Sequence, residues 1–315
     1  MTSIAKAPGK IILFGEHFVV YGNRAILGAI DKFATVTSEK TNTDNILISS
    51  SLGQSSIKKD EDVNKVEKKF RPFFFIAKKI IEKNNFDKGI SIRIESDIPI
   101  GAGLGSSSAC CVAAAASTAN LFSDTTNKEI LELAIQAEKT IFPNSSGADC
   151  TVSVYGGIIV YQKEKGFTKI DTENEFYFLI IDSEKVHATD KVVERVKKFK
   201  EENKDVFARL CSEEERLITK VLDSMKSNDL ETIGKCMAQN EIFLEQIGVS
   251  NDVLLSITKE IEMITFGAKI TGAGDGGCII ALTQKDDDLS EYVNTTKYQT
   301  HHVSIQKTGM QVFNT

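Results

Sequence analysis

Residues 90–96 read Ile-Ser-Ile-Arg-Ile-Glu-Ser, apolar and polar in strict alternation, which predicts a strand with one buried face. Ahead of it, apolar runs at 5–14, 25–30 and 33–38 predict that the chain opens as an antiparallel meander. Phe18-Val19-Val20-Tyr21 reads as a further strand-like run, set between the turn Gly15-Glu16-His17 and the next turn at Tyr21-Gly22-Asn23. From 39 to 62 the chain is rich in Ser, Asn, Asp and Lys around Ile46-Leu47-Ile48, the pattern of a surface hairpin with a mobile tip. Over 63–84, Phe70, Phe73, Phe74, Ala77, Ile80 and Ile81 recur near helical spacing, with Pro72 marking a break or a restart. Small residues at 109–119 and apolar Ile130, Leu131, Leu133, Ala134 and Ala137 within 126–142 predict two more helices. A turn at 143–151 and a strand at 157–161 follow.

Polar, charged residues at 162–174 mark a boundary, dividing the chain into domains at 1–170 and 171–315, with the last strand free to return to the first domain. Beyond it come a buried strand at 176–181 and a polar loop at 183–190. Helices are expected at about 190–202, 204–226, 229–246 and 250–263, several with charged outer faces. Two strands then flank a glycine cluster at 272–277, a polar turn at 285–291 starts a helix, and 299–305 is the final strand.

Composition narrows the function classes. A net charge of -6 over 315 residues gives no electrostatic case for nucleic acid. No apolar run approaches a membrane span, and the start of the chain has no signal-peptide pattern, so a cytoplasmic protein with no membrane partner is expected. The six cysteines form no C-x-x-C pair and sit among apolar or small residues, so they read as reduced core positions. With four histidines besides, a structural zinc site has little to draw on.

The densest candidate chemistry is Pro99-Ile100-Gly101-Ala102-Gly103-Leu104-Gly105-Ser106-Ser107-Ser108, placed between the strand at 90–96 and the small-residue helix. Strand, glycine loop and helix is the order a phosphate site needs. A helix start leaves N–H groups unpartnered at the positive end of its dipole, and the glycines let backbone approach an anion closely. The serines add hydroxyls for capping, phosphate or Mg²⁺. No lysine follows the glycines, so this is not a P-loop and the cation must come from elsewhere. Gly272, Gly274 and Gly277 make a formal G-x-G-x-x-G, but a strand follows, so the dinucleotide reading fails its context. Lys10, Glu16 and His17 interrupt apolar sequence, Glu138 stands near a helix end that disfavours a carboxylate, and Asp149 lies in a turn. Each has an ordinary reading, as a solvated lysine, a buried pair, a surface acid and a turn acceptor.

Three motifs in order change those readings. Pro8-Gly9-Lys10 with Gly15-Glu16-His17, the Pro99 to Ser108 loop, and Gly267-Ala268-Lys269-x-Thr-Gly-Ala-Gly-x-Gly-Gly-Cys resemble the three signatures of the GHMP small-molecule kinases, across nearly the whole chain. The resemblance implies an α+β, two-domain GHMP kinase fold, with an N-terminal domain like ribosomal protein S5 domain 2 and a ferredoxin-like C-terminal domain. It implies ATP as co-substrate and Mg²⁺ as cofactor. The wording from Pro8 to Gly22 and from Ser146 to Gly157 is nearest to members acting on mevalonate, which implies phosphorylation of the C5 hydroxyl of (R)-mevalonate in isoprenoid synthesis. By the same resemblance Asp149 and Lys10 are catalytic, with Asp149 taking the hydroxyl proton late in the transfer. Pro99 and residues 101–108 bind ATP phosphates, while Ser107 and Glu138 meet the metal. Lys10, Glu16, His17, Ser146, Asp149 and Thr189 line the acceptor pocket, and Gly272, Ala273, Gly274 and Gly276 close over it.

Two departures stand out. The basic residue expected to pair with an acceptor carboxylate falls at Ala188, leaving Lys185 and His187 nearby as substitutes, and Asp275 occupies a loop position where glycine is common. A GHMP kinase for phosphomevalonate or a sugar is the nearest rival reading. A catalytically inactive metabolite sensor is the rival of a different class. A homodimer is one assembly open to the chain.

Overall fold

The computed structural model describes residues 2–99, 101–185 and 189–314. Its first layer is an eight-stranded sheet. The two long strands β1 (Thr2–Phe14) and β2 (Ala25–Lys40) pair antiparallel along most of their length. Pro8 has no N–H to offer the ladder, and the register shifts between Pro8 and Gly9, so that Asp31 and Lys32 of β2 are left over as a bulge. The two separate strands expected at 25–30 and 33–38 are therefore one strand with a kink. Asp31 in that bulge accepts hydrogen bonds from Ser304 N (3.0 Å) and Ser304 Oγ (2.9 Å).

The expected hairpin at 39–62 forms as β3 (Asn45–Ser50) and β4 (Gly53–Lys58). The helix expected over 63–84 begins only at α1 (Arg71–Lys83), after 3-10 turns at Val63–Lys65 and Lys68–Phe70. Pro72 sits in its first turn, where a missing N–H costs nothing, so the proline starts the helix rather than breaking it. Next come β5 (Ile90–Ser96), α2 (Ser106–Asn120), α3 (Asn127–Lys139), α4 (Ala148–Tyr155), β6 (Ile158–Gln162) and β7 (Gly166–Ile170). The run at 18–22 is a 3-10 turn, Phe18–Tyr21, not a strand. Left-handed backbone at Gly15 (φ 92°) and His17 (φ 59°) turns the chain out of the sheet. Phe18 then inserts, fully buried, against Phe207 at a ring separation of 5.9 Å.

The second layer is an antiparallel sheet, β11–β8–β10–β9, built from β8 (Tyr177–Asp182), β9 (Gly267–Thr271), β10 (Cys278–Thr283) and β11 (Gln299–Ser304). Around it lie α5 (Thr189–Glu202), α6 (Lys204–Ser227), α7 (Leu230–Gln246), α8 (Asp252–Glu262) and the short α9 (Ser290–Thr295). After β11 the chain returns, and β12 (Gln311–Asn314) pairs antiparallel with the start of β1.

The centre of the first layer is α2, buried from Ser108 to Ala119. Its face residues are Ala, Ser, Cys, Thr and one Val, so it can lie close on β1 and β2 with α1, α3 and α4 around it. A methylene or two added to such a helix would overpack it, at about 1–3 kcal/mol each. This close packing fixes where the first turn of α2 points. All six cysteines are free, and five of them are buried, as expected.

Candidate active site

Lys10 leaves β1 with its side chain 6% exposed. Its backbone N–H donates to Leu104 O at 2.9 Å, which ties the first glycine loop to the strand. Gly105 caps α2 with φ 74°, and a Cβ there would come within 2.7 Å of Lys10 Cγ. Loop and lysine stem are thus in direct contact, and only glycine fits between them. The first intrahelical bond runs from Ala109 N to Gly105 O (2.9 Å), so the N–H groups of 106–108 stand ahead of the ladder, at the positive end of α2.

Across from Lys10, Asp149 occupies the first turn of α4, with its Oδ2 3.4 Å from Lys10 Nζ. The turn expected at 143–151 is therefore partly helix. Gly147 supplies the left-handed cap (φ 81°), and Ser146 Oγ accepts from Ala148 N at 3.3 Å. Ser146 O in turn accepts from the Tyr161 hydroxyl at 2.7 Å, so Ser146 is held at the mouth of α4. Two helix N-termini, those of α2 and α4, thus meet at one lysine.

Glu138, in the last turn of α3, is buried and accepts from the hydroxyls of Ser108 and Ser145 and from Cys150 Sγ at 3.8 Å. Burial and then the charge of Asp149 push its carboxyl above the usual range. The serine that touches Glu138 is Ser108, while Ser107 lies exposed on the first turn of α2. Pro99 and residues 101–105 form the loop ahead of that turn, with Ala102 and Leu104 buried as its anchors.

Glu16 and His17 separate. Glu16 is interior: its Oε1 pairs with Lys269 Nζ, both side chains are fully buried, and among the described residues Oε2 has no hydrogen-bond partner. Burial raises its pKa despite the lysine. His17 is half-buried and donates from Nε2 to Ala273 O at 2.8 Å, and burial lowers its pKa, so the ring is neutral near pH 7. It can offer an acceptor molecule a hydrogen bond but not a charge.

The second glycine loop joins β9 to β10. Thr271 at its start exchanges hydrogen bonds with Ile12, receiving from its N–H (2.9 Å) and donating to its carbonyl (3.0 Å). A Cβ on Gly103 would lie 3.7 Å from Thr271 O, so the two glycine loops abut. Gly272 (φ 92°), Gly274 (φ 77°) and Gly276 (φ 157°) make its tight course possible. Among the acceptor-side candidates, Thr189 opens α5 and Lys185 is exposed; among the described residues no hydrogen bond joins either to Lys10 or Asp149. His187, like Ala188, lies outside the described residues.

Sequence reading missed the interior charges around Glu16. Glu214 is fully buried, and Asn240 Nδ2 donates to its Oε2 at 2.6 Å. Burial, followed by the nearby Glu16 charge, pushes its pKa up to about 7. Glu241 accepts from Ile270 N (2.8 Å) and Ser250 Oγ (3.1 Å). Signals existed: Lys269 stands in a wholly buried apolar strand, and Glu214 falls on the stripe of Phe207, Leu210, Ile218 and Val221.

Residues 69–157 match the family model described as GHMP kinases N terminal domain, and residues 221–295 match that described as GHMP kinases C terminal. The chain belongs to the GHMP kinase family, and its two-sheet architecture is the expected two-domain fold. Within the family its relatives are mevalonate kinases. It is 33% identical over 291 residues to the mevalonate kinase of Archaeoglobus fulgidus, covering 92% of this chain and 95% of that one. With the mevalonate kinase of Methanocaldococcus jannaschii it shares 34% over 309 residues, 92% of this chain and 96% of the relative. The crystal structure of the Methanococcus jannaschii mevalonate kinase superposes with a TM-score of 0.85 at 31% identity, over 96% of this chain and 98% of that one.

Proposed function

We propose that the protein transfers the γ-phosphoryl group of ATP to the C5 hydroxyl of (R)-mevalonate, giving 5-phosphomevalonate and ADP. The observation that carries this reading is the Lys10–Asp149 pair at 3.4 Å, set beside the exposed first turn of α2, in a chain whose relatives are mevalonate kinases. Phosphoryl transfer asks a protein for positioning and for a sink for charge on the phosphoryl oxygens, with little covalent chemistry. The N–H groups of 106–108 and the glycine loop cradle the phosphates. Lys10 holds the acceptor oxygen and the transferring group together and offsets their charge. An alcohol is far too weak an acid to lose its proton beforehand to a carboxylate, so Asp149 receives that proton as the new P–O bond forms. The second glycine loop, anchored to Ile12 and His17, covers the acceptor side and keeps out water, which would otherwise compete as acceptor.

A divalent cation fits the residues present. Glu138 is a carboxylate whose pKa is raised first by burial and then by the charge of Asp149, and its neighbours include two hydroxyl oxygens. Added positive charge there would relieve both effects. Mg²⁺ takes oxygen ligands and keeps several waters, so one carboxylate and a serine hydroxyl suffice, and Glu138 with Ser107 or Ser108 would hold it. When bound it supplies charge neutralisation on the phosphates. We take the chain as two domains, 1–170 and 171–315 with β12 returning, so that the reaction lies at their junction.

The test is ADP release by purified protein with Mg-ATP on mevalonate, 5-phosphomevalonate, galactose and homoserine in parallel. Turnover on mevalonate alone is expected. Turnover on another acceptor only would keep the kinase and reject the acceptor, and none at all would favour the sensor reading.

A further inference from the structure

Asp275 is the one acidic side chain in Gly272-Ala273-Gly274-Asp275-Gly276-Gly277, and its backbone is left-handed at φ 60°. That conformation costs an L-residue about 1 kcal/mol, where a glycine would adopt it freely. What the side chain does there is specific. Its Oδ2 accepts from Arg195 Nη2 at 2.9 Å, and the Asp275 N–H donates to Val249 O at 2.7 Å. The same arginine, on α5, donates from Nη1 to Gly248 O at 2.9 Å. One guanidinium therefore joins three segments: the second turn of α5, the turn that ends α7, and the second glycine loop. Two residues further on, Gly277 O accepts from Ser183 N (3.0 Å) and Ser183 Oγ (2.7 Å), and Gly277 N donates to Lys185 O at 3.1 Å.

The other flank of this loop faces the reaction. Ala273 O accepts from His17, and Thr271 is bonded to Ile12, two residues from Lys10 in β1. The loop is thus held on one side by groups next to the catalytic lysine and on the other by α5 and the 183–185 segment.

We infer that Arg195 and Asp275 form a latch that fixes α5 and the second glycine loop as one unit, and that this latch positions the acceptor side of the pocket. Both are positioning residues: neither touches the reacting atoms. The role rests on the kinase reading above, and it accounts for an aspartate where the backbone favours glycine. Half-exposed ion pairs contribute little to global stability, about 0–1 kcal/mol, so the latch acts on local order. Its loss should raise the acceptor KM roughly five-fold, the equivalent of about 1 kcal/mol, with kcat and the ATP KM nearly unchanged.

The experiment compares wild type with Arg195→Met, Asp275→Gly, the double variant and Asp275→Asn. Asp275→Gly relaxes the backbone and removes the carboxylate, whereas Arg195→Met breaks the same pair with residue 275 unchanged, so comparing the two separates strain from latch. Two readouts are taken. One is KM and kcat for mevalonate and ATP; the other is amide hydrogen exchange in 272–277 and 189–195 of the free protein, which needs no acceptor. The latch predicts that either single variant and the double share one raised acceptor KM and one increase in exchange, with Asp275→Asn closer to wild type. Additive effects, or unchanged exchange in both segments, would overturn it. Altered exchange in a protein that does not phosphorylate mevalonate would keep the latch and reject the acceptor assignment.

Discussion

Replacing Glu214 by Gln removes a titration without removing a shape. In the fold, Glu214 is fully buried on α6, with Asn240 Nδ2 on one of its oxygens. The groups facing it are Asn240 of α7, the Gly15 N–H, and the charges of Glu16 and Lys269. Burial and the Glu16 charge win over Lys269, taking its pKa from 4.5 to about 7. A carboxyl whose pKa is raised in the fold binds more protons folded than unfolded between those two values. Its contribution to stability is fully present below pH 4.5, falls as pH rises, and is lost above about pH 7. At about 1.4 kcal/mol per pH unit, the interval corresponds to about 3 kcal/mol. Glutamine at 214 does not titrate and keeps an oxygen for Asn240. The difference in urea-unfolding free energy, Glu214→Gln minus wild type, should therefore rise by about 3 kcal/mol between pH 4.5 and pH 8, leaving the variant relatively more stable at the alkaline end. Taking the difference cancels the titrating groups that do not interact with residue 214. A difference flat to within about 0.5 kcal/mol, or one that falls with pH, would refute the reasoning.

The neighbouring pair gives a second stability test. Lys269→Met leaves Glu16 buried and unpaired and should lower the unfolding free energy by about 3–5 kcal/mol, with Glu16→Gln added to it recovering most of the loss; the urea midpoint reports both. Gly105→Ala places a methyl 2.7 Å from the Lys10 stem at φ 74°, so kcat should fall roughly ten-fold or more, the equivalent of at least about 1.4 kcal/mol in the transition state, measured by steady-state ADP release. Glu138→Gln should raise the Mg²⁺ concentration for half-maximal rate by roughly ten-fold or more, read from a metal titration at saturating ATP.

What the sequence made legible was what local pattern controls. The alternation at 90–96 became β5 at the same residues, and the four helices after the 183–190 loop begin and end within a residue or two of their expected bounds. Capping and amphipathic spacing carry those signals in the chain itself. Phe18–Tyr21 misled because its apolar side chains are not a strand face: Phe18 fills a core made by α5, α6 and β8, a contact that only the packed chain supplies. Asp149 likewise read as a turn because Gly147 starts a helix of eight residues, too short for periodicity to show.

The site divides the same way. Lys10, Asp149, Glu138 and the glycine loop were named from motif wording, and the structure brings them together around the starts of α2 and α4. Glu16 was named as a pocket residue and stands instead in an interior pair with Lys269. A buried charge is invisible to one-dimensional pattern unless its partner is sought, and that partner lies 253 residues away. Arg195 carried no signal, since its helix face is otherwise charged and exposed, and the reason for Asp275 depends on a contact between segments 80 residues apart.

On the proposed mechanism this site phosphorylates the C5 oxygen of mevalonate with Asp149 accepting the proton. Phosphorus NMR of the product, with wild type and Asp149→Asn run side by side and ATP affinity measured for both, tests it most directly. Wild type should give a single phosphomonoester signal split by the C5 methylene protons. The variant should show less than about a tenth of that rate, with ATP affinity nearly intact. A product signal without methylene coupling, or a variant retaining more than about a tenth of the rate, would contradict it.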